Sequence, residues 1–506
     1  MSKRYYLGID QGTTGTTTLL LDENWNVAAR GYKEHTQYYP EAGWVEHDPM
    51  EIWDAILESI DMVLKEVGAN ASDLICIGLD NQGETCMIWD KNTGQPIYNA
   101  IVWQDRRTAR YADQLAERHG PMIREKTGLV IDSYFSGTKF KWILDHVEGA
   151  MERAKAGELI AGTLDSWMIW KLTHAGAHVT DQSTASRTML LNIHTGQWDD
   201  EILEILGIPK KILPEICDSA QVYGYTDPLD FFGAKVPISG SVVDQQAALF
   251  GQACYTPGTV KTTYGTGCFM LMNTGDKPIY SENGLLTTVA WGLNQKLSFA
   301  LDGGVYITGA AVQWLRDKLQ IIENSAQTEE MAIAAGHTGG VYFVPAFAGL
   351  AAPHWDQYAR GTMVGITGGT TKEQIVRATL ESVAYQVYDN LEVMNRDSGI
   401  PIQVMRVDGG MVANNFLMQF QSDIMGIPVD VPVITETTAL GAAYLAALGM
   451  GEFSSLDELA SKWKLGRRFE PKMSADQRES LLHDWRRAVE RSKKWIEEAA
   501  EEAVMV

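Results

Sequence analysis

Two short turns rich in glycine and threonine each follow a hydrophobic run of strand type, and their composition suits phosphate binding. They are Asp10-Gln11-Gly12-Thr13-Thr14-Gly15 and Tyr264-Gly265-Thr266-Gly267. Glycine lets backbone N–H groups approach a phosphate closely, and threonine hydroxyls add donors. Asp10, at the end of the first strand, can hold a hydrated Mg²⁺ that bridges the phosphates. Most such turns taken singly are only turns, so the hypothesis of a nucleotide site depends on the pair.

A third turn strengthens this hypothesis. Asp408-Gly409-Gly410 follows the strand-like run 404–407, and a helix is expected from about Asn414. Helix N-termini favour anions, so this turn can add to a phosphate site. The chain has neither the P-loop pattern GxxxxGK[ST] nor the protein-kinase and nucleophile-elbow motifs, which excludes those enzyme classes.

The elements that must position these turns alternate between strands and amphipathic helices, the pattern of an α/β fold. The first helix is marked by Asp48-Pro49-Met50-Glu51, which offers an N-cap, a proline at the first position and a capping-box glutamate. The strand–turn–strand unit recurs after residue 250, so we predict two related domains, 1–250 and 251–506. Near the C-terminus we expect a charged helix at 475–504 with Trp495 facing inward.

The composition is that of an ordinary globular protein, with 45% hydrophobic and 21% charged residues. At 506 residues the chain is too long for one hydrophobic core. Its formal net charge of −23 argues against partners such as nucleic acid or an anionic membrane. Five cysteines without metal-type spacing, no secretory signal and no membrane-length apolar run predict a soluble cytoplasmic protein with reduced thiols.

Longer segments resemble the FGGY carbohydrate kinase family, and the resemblance covers nearly the whole chain. Tyr134-Phe135-Ser136-Gly137-Thr138-Lys139-Phe140-Lys141-Trp142 is similar to the first signature of the family, and residues 361–381 are similar to the second. The segments that resemble the glycerol kinases of this family in particular are 43–49, 100–104, 244–251 and 264–273.

This resemblance implies an actin-like α/β fold, in which two ribonuclease-H-like domains enclose a deep cleft. The implied reaction is the ATP- and Mg²⁺-dependent phosphorylation of a small polyol, with glycerol as the first expectation. A homodimer or homotetramer is the assembly that the family implies. The alternative substrate is a different or longer polyol or a keto-sugar. A non-catalytic, actin-like ATP-binding protein is the less favoured class.

The residues that correspond to the family's site form three groups. The nucleotide positions are Gly12, Thr13, Thr14, Gly15, Thr266, Gly309, Gln313, Gly410 and Asn414. The polyol positions are Gly83, Glu84, Trp103, Tyr134, Asp244, Gln245 and Phe269, with Trp103 and Phe269 as an apolar wall. Asp10 corresponds to the metal-linked carboxylate. A polyol hydroxyl is a poor nucleophile, so a carboxylate must accept its proton, and Asp244 is the candidate base.

Two positions differ from the usual pattern of the family's glycerol kinases. Gly83 and Thr17 stand where those enzymes usually hold arginine. A hydrogen bond from a charged donor contributes about 1.5–3 kcal/mol, so each loss should weaken the site about tenfold to a hundredfold unless another group replaces it. Either a nearby lysine, arginine or water substitutes, or the space at Gly83 admits a longer or differently substituted polyol.

Two forms of regulation found in parts of the family are not expected. Segment 227–233 lacks the glycine- and arginine-rich loop through which some glycerol kinases bind fructose 1,6-bisphosphate. Asp230 stands where others hold a histidine that becomes phosphorylated. We therefore predict that neither form of control operates.

Overall fold

The structure, a computed structural model, describes residues 4–496, and its first half alternates strands with helices. The strands of this half are β1 (Tyr5–Gln11), β2 (Gly15–Asp22), β3 (Val27–Glu34), β4 (Glu46–His47), β5 (Leu74–Asn81), β6 (Cys86–Asp90), β7 (Ala100–Ile101), β8 (Leu159–Thr163), β9 (Val179–Asp181), β10 (Leu191–Asn192), β11 (Gln197–Trp198), β12 (Glu215–Cys217), β13 (Ala220–Tyr225) and β14 (Pro237–Val243). The helices are α1 (Pro49–Val67), α2 (Ala109–Thr127), α3 (Ser136–His146), α4 (Ala150–Ala156), α5 (Leu164–Leu172), α6 (Gln182–Ser186), α7 (Asp200–Leu206) and α8 (Asp244–Gly251).

The second half follows the same alternation. Its strands are β15 (Val260–Tyr264), β16 (Cys268–Gly275), β17 (Leu286–Leu293), β18 (Lys296–Val305), β19 (Tyr342–Val344), β20 (Thr362–Val364), β21 (Met405–Asp408), β22 (Val429–Pro432) and β23 (Leu465–Phe469). Its helices are α9 (Gly309–Asp317), α10 (Gln327–Ala335), α11 (Lys372–Ser398), α12 (Asn415–Met425), α13 (Thr437–Gly449), α14 (Leu456–Ala460) and α15 (Ala475–Ser492).

Helix α1 shows how the local sequence determines an element. The Asp48 carboxylate accepts a hydrogen bond from the N–H of Met50 at 2.8 Å, as an N-cap should. Gly68 ends the helix in the left-handed conformation, with φ 62°. Ile52 and Ile56 are fully buried on the face that packs on the sheet. The predicted helix start at this position is confirmed.

Each half contains one large mixed sheet, and the central strands of the two sheets have the same order. The first sheet runs β13-β14-β5-β1-β2-β3, and the second runs β17-β18-β16-β15-β21-β22-β23. In the first, β1 is antiparallel to β2 and parallel to β5, which is parallel to β14. In the second, β15 is antiparallel to β16 and parallel to β21, which is parallel to β22. The predicted α/β fold of two related, sheet-containing units is confirmed.

Helix α13 belongs to the second half in sequence but packs on β1, β5 and β14 of the first sheet. Two glycines allow this close approach. A Cβ atom at Gly8 would lie 2.1 Å from the carbonyl oxygen of Ala439, and one at Gly78 would lie 1.9 Å from that of Ala442. Helix α13 also packs against α8, so the two halves are joined through a pair of helices in backbone contact.

The C-terminal helix is shorter than predicted. It ends at Ser492, and Trp495 is 69% exposed instead of facing inward. Lys494 donates its N–H to the Asp356 carboxylate, and Ile496 donates to the carbonyl of Tyr358. These tertiary contacts take the chain away from the helical path, and the rest of the predicted helix, 497–504, lies outside the described residues. Within residues 4–496, no helix is both long and apolar enough to cross a membrane.

Candidate active site

Three carboxylates follow the ends of three neighbouring parallel strands of the first sheet. Asp10 is near the end of β1, Glu84 comes three residues after β5, and Asp244 directly follows β14. Because carboxyl ends of adjacent parallel strands meet at one edge of a sheet, residues distant in sequence are brought together there. Besides burial, the charge of Asp244 raises the pKa of both Asp10 and Glu84, so the three carboxyl groups lie near one another.

A fourth carboxyl group, Asp80, lies behind Asp10. The two residues are paired in the parallel register of β1 and β5. Asp80 is fully buried, and as a carboxylate neither of its oxygens has a hydrogen-bond donor among the described residues. Burial and the neighbouring Asp10 charge raise the pKa of Asp80 well above its usual range. Burial also raises the pKa of Asp10 to about 7.

The donor set at this edge suits a magnesium ion that arrives with phosphates. Asp10 is half-buried, so its carboxylate can reach a ligand in the cleft. No group of three or more His, Cys, Asp or Glu side chains within the described chain is arranged to hold a metal ion. Mg²⁺ is usually bound through one or two carboxylates together with substrate phosphates and water, and Asp10 fits that role.

Glu84 has an unusual backbone conformation and forms a buried ion pair. Its φ is 60°, in the left-handed region that few non-glycine residues adopt. The carboxylate accepts a hydrogen bond from Nε of Arg187 at 2.6 Å, and both side chains are almost fully buried. Burial raises the pKa of Glu84 to about 7, while the Arg187 charge opposes the increase. Strain of this kind is common where side chains are aimed at a ligand.

Asp244 begins α8 and is oriented by its neighbour. The backbone N–H of Gln245 donates to Oδ1 of Asp244 at 2.7 Å. The side chain of Gln245 is fixed in turn by Lys261, whose Nζ donates to its Oε1 at 2.5 Å and to Oγ1 of Thr263 at 3.1 Å. Burial raises the pKa of Asp244, and the Gln245 hydrogen bond and the Lys261 charge act in the opposite direction. A buried carboxylate with raised pKa is suited to accept a proton.

Aromatic side chains stand close to these carboxylates. Trp103 and Tyr134 make an edge-to-face contact with ring centroids 5.6 Å apart. Nε1 of Trp103 donates to Oγ1 of Thr13 at 2.9 Å, which connects this aromatic pair to the first phosphate turn. Phe269 comes from the other half, on β16, where it pairs with Gly304 of β18. The polyol residues predicted from the sequence thus come from both halves of the chain.

The first phosphate turn is a tight hairpin between β1 and β2. The N–H of Gly12 donates to the carbonyl of Gly15 at 3.0 Å. Gly15 must be glycine, because a Cβ there would lie 2.6 Å from the carbonyl oxygen of Lys33. Thr13 is half-buried and Thr14 exposed at the tip of the turn. The tip therefore presents hydroxyl and amide donors, as phosphate binding requires.

The remaining predicted nucleotide residues line one cleft in the second half, with a volume of about 420 Å³. They are Thr266, Gly309, Gln313, Gly410 and Asn414. Gly309 starts α9, and its N–H donates to the carbonyl of Gly265 at 3.1 Å. Asn414 caps α12 by accepting from the N–H of Leu417 at 2.9 Å. The turns that follow the parallel strands β15 and β21 thus form this cleft in the second half. In the first half, the carboxylates at the ends of β1, β5 and β14 meet in the same way.

Comparison with known proteins gives the family. The N-terminal domain of the FGGY family of carbohydrate kinases matches residues 5–251, and its C-terminal domain matches residues 260–450. The chain belongs to the FGGY family of carbohydrate kinases. "Glycerol kinase 2" of Thermotoga maritima is 58% identical over 97% of this chain and 99% of that protein. The "Glycerol kinase" of Caldanaerobacter subterraneus subsp. tengcongensis is 57% identical over 98% of this chain and 100% of that protein.

Solved structures of FGGY kinases have the same fold. The Plasmodium falciparum glycerol kinase with ADP has a TM-score of 0.90 and 36% identity, covering 97% of this chain and 98% of that chain. A gluconate kinase from Lactobacillus acidophilus has a TM-score of 0.86 with 23% identity over 97% of this chain and 98% of its own, which shows the fold alone. The predicted family, fold and class of enzyme are confirmed.

Thr17 and Gly83, the two positions where arginine is expected, both lie beside the carboxylates of the candidate site. Thr17 is buried on β2 directly opposite Asp10 in the hairpin register. Gly83 precedes Glu84, and a Cβ there would lie 3.0 Å from Cγ2 of Val243 and 3.9 Å from Oδ1 of Asp244. Position 83 therefore borders the candidate base.

Sequence reasoning missed three charged groups of the candidate site: Asp80, Arg187 and Lys261. A signal existed for Asp80, because it ends an apolar strand just as Asp10 does. Lys261 also left a trace, since it is a lone lysine inside a short β-branched run that enters the second turn. Arg187 left none, because its local sequence is ordinary and its partners Glu84 and Asp302 are more than a hundred residues away.

Proposed function

We propose that this FGGY kinase transfers the γ-phosphoryl group of ATP to a terminal hydroxyl of glycerol, giving glycerol 3-phosphate, in the cytoplasm. The observation that carries the proposal is the meeting of Asp10, Glu84 and Asp244 at the ends of three neighbouring parallel strands. Relatives named glycerol kinase, matched over almost their whole length, support glycerol as the substrate.

Asp244 is the general base of the proposed reaction. Oriented by the N–H of Gln245, it accepts the hydroxyl proton as the phosphoryl group arrives. Glu84, fixed by Arg187, accepts hydrogen bonds from the other hydroxyls and determines which carbon is presented. Trp103 and Phe269 cover the apolar carbon backbone. Positioning of this kind is the main contribution a protein makes to phosphoryl transfer.

The nucleotide is held by the two glycine-threonine turns and the cleft of the second half. Thr13, Thr14 and Thr266 supply hydroxyl and amide donors to the phosphates, while Gln313 and Asn414 border the remainder of the nucleotide. Mg²⁺ neutralises phosphate charge when bound, and Asp10 is the residue that would hold it. Lys261, fully buried beside Gln245, is a further positive charge at the point where the two halves meet.

A coupled ADP-release assay over glycerol, dihydroxyacetone and C4 to C6 polyols tests the proposal. We expect ATP turnover that depends on the polyol and is fastest, in kcat/KM, with glycerol. If kcat/KM for a longer polyol or a keto-sugar exceeds that for glycerol tenfold or more, the assignment of glycerol as the substrate is wrong. No turnover with any of them would favour the non-catalytic alternative. Gel filtration tests the homodimer or homotetramer that the family implies.

A further inference from the structure

Arg187 is a buried cation at the polyol end of the candidate site, and the reaction as proposed gives it no role beyond holding Glu84 in place. It lies between α6 and β10 and is 5% exposed. Nε donates to Oε1 of Glu84 at 2.6 Å, and Nη1 donates to Oδ2 of Asp302 at 3.0 Å. Within the described chain, Nη2 donates no hydrogen bond to another residue. A guanidinium group carries five N–H donors, so this side chain retains donors for a ligand.

The surroundings of Arg187 are the residues expected to hold the polyol. Its guanidinium carbon lies 5.9 Å from the ring centroid of Tyr134 and 5.5 Å from that of Phe135. Burial raises the pKa of both Glu84 and Asp244, and the Arg187 charge opposes the increase in each. The guanidinium therefore lies among carboxylates and aromatic rings of the candidate polyol site.

Arg187 also connects the two halves of the chain. Glu84 follows β5 of the first sheet, whereas Asp302 lies on β18 of the second. On β18 it stands two residues before Gly304, the partner of Phe269. The Arg187 side chain thus bridges Glu84 and the strand that pairs with the one carrying Phe269.

Gly83 leaves the position beside Asp244 without the arginine donor expected there. The position borders Asp244 but contributes no side chain. A polyol bound there presents hydroxyl oxygens as acceptors as well as hydrogens as donors. Glu84 and Asp244 satisfy only the hydrogens, because ionised carboxylates accept but do not donate. A buried hydroxyl oxygen without a donor would weaken binding.

We infer that Arg187 is a polyol-binding residue that supplies this donor: Nη2 donates to a substrate hydroxyl while Nε and Nη1 hold Glu84 and Asp302 in place. The inference rests on the proposed function and identifies the group that replaces an arginine at position 83. It also defines the ligand chemistry, because adjacent carboxylate and guanidinium groups recognise two neighbouring hydroxyls, one through its hydrogen and one through its oxygen. Polyols with a vicinal diol next to the reacting carbon satisfy both.

Arg187→Lys tests the inference, since it keeps the charge but removes the planar fork. We expect KM for glycerol to rise about tenfold to a hundredfold, with KM for ATP unchanged within about threefold. The matched control is Arg107→Lys. The Arg107 side chain is also buried and pairs with Glu46 and Asp105 at 2.8 Å, but in a separate aromatic cluster. The Arg107→Lys variant should have a lower melting temperature than the wild type but the same KM for glycerol.

A second variant separates ligand binding from support of the fold. Adding Gly83→Arg to Arg187→Lys should lower KM for glycerol at least fivefold relative to Arg187→Lys alone. The increase in melting temperature caused by saturating glycerol, a measurement independent of turnover, should be reduced in Arg187→Lys and partly recovered in the double variant.

Three results would overturn the inference. They are a KM for glycerol in Arg187→Lys within twofold of the wild type, equal increases in KM for glycerol and ATP, and a double variant without recovery. The proposed function fails separately, by absence of glycerol-dependent ATP turnover in the wild-type protein. An Arg187 that only supports the fold would behave as the Arg107 control does, whereas one that acts only by positioning Glu84 would give no recovery of KM in the double variant.

Discussion

The hydrogen bond between Trp103 and Thr13 connects the aromatic wall to the phosphate turn and can be tested by a double-mutant cycle. Nε1 of Trp103 donates to Oγ1 of Thr13 at 2.9 Å. Because this oxygen already accepts a hydrogen bond, the hydroxyl hydrogen of Thr13 points elsewhere and is free to donate to a phosphate. Trp103→Phe keeps an aromatic ring but leaves the hydroxyl free to rotate. Thr13→Val keeps the shape and removes the hydroxyl.

The expected coupling follows from the neutral character and normal length of this bond. A hydrogen bond of this type contributes about 0.5–1.5 kcal/mol, which corresponds to about a 2- to 13-fold change in kcat/KM. Trp103→Phe lowers kcat/KM for glycerol in both backgrounds. We expect this loss to be about 2- to 13-fold larger in the wild-type background than in the Thr13→Val background. Neither single change is interpretable alone, because Thr13→Val also removes a phosphate donor and Trp103→Phe shortens the wall.

The assay is steady-state ADP release with glycerol varied at saturating ATP for the wild type, both single variants and the double variant. Trp198→Phe provides a matched control, because Nε1 of Trp198 makes a hydrogen bond of 2.8 Å to the carbonyl of Pro214, in a different cluster. Its coupling to Thr13→Val should be zero within error. If the effects of Trp103→Phe and Thr13→Val were also additive, the two side chains would act independently and the proposed orientation of the Thr13 hydroxyl would be wrong.

Three further predictions concern the base, the pH dependence and regulation. Asp244→Asn should lower kcat about 10²- to 10⁴-fold with little change in KM for ATP, measured by ADP release; retention of a tenth of the wild-type kcat would exclude Asp244 as the base. Burial raises the pKa of Asp10 and of Glu84 to about 7, so their ionised forms are gained as pH rises. Accordingly, kcat/KM should fall with decreasing pH below about 7, and a profile flat down to pH 5 would contradict this. Fructose 1,6-bisphosphate should leave the rate unchanged, because the loop before β14 lacks the glycine- and arginine-rich motif; an inhibition curve that falls at millimolar ligand would contradict this prediction.

Features encoded by neighbouring residues could be predicted from the sequence. The cap at Asp48 and the strand–turn–strand units around Gly12 and Gly265 are local, so a few residues determine them. The order of strands in the two sheets follows from the family resemblance, because the repeated turn indicates duplication but does not specify which strands pair.

The charged network around the polyol site could not be predicted in the same way. Arg187 pairs with a residue 103 positions earlier and another 115 positions later. Lys261 contacts Gln245 across the junction of the two halves. Such contacts depend on how two sheets are placed relative to each other, which no local pattern contains. The C-terminal helix was predicted too long for the same reason. Lys494, just after the helix ends, donates its N–H to the carboxylate of the distant Asp356.

The packing of α13 on the first sheet has a consequence for the synthesis of this chain. At a translation rate of about 5–20 residues per second, the roughly 190 residues between the end of α8 and the start of α13 take about 10–40 s to appear. Throughout this interval, the backbone surface around Gly8 and Gly78 lacks the helix that covers it. The first half therefore completes its fold only after α13 has been synthesised, and the nascent polypeptide carries an uncovered sheet face until then.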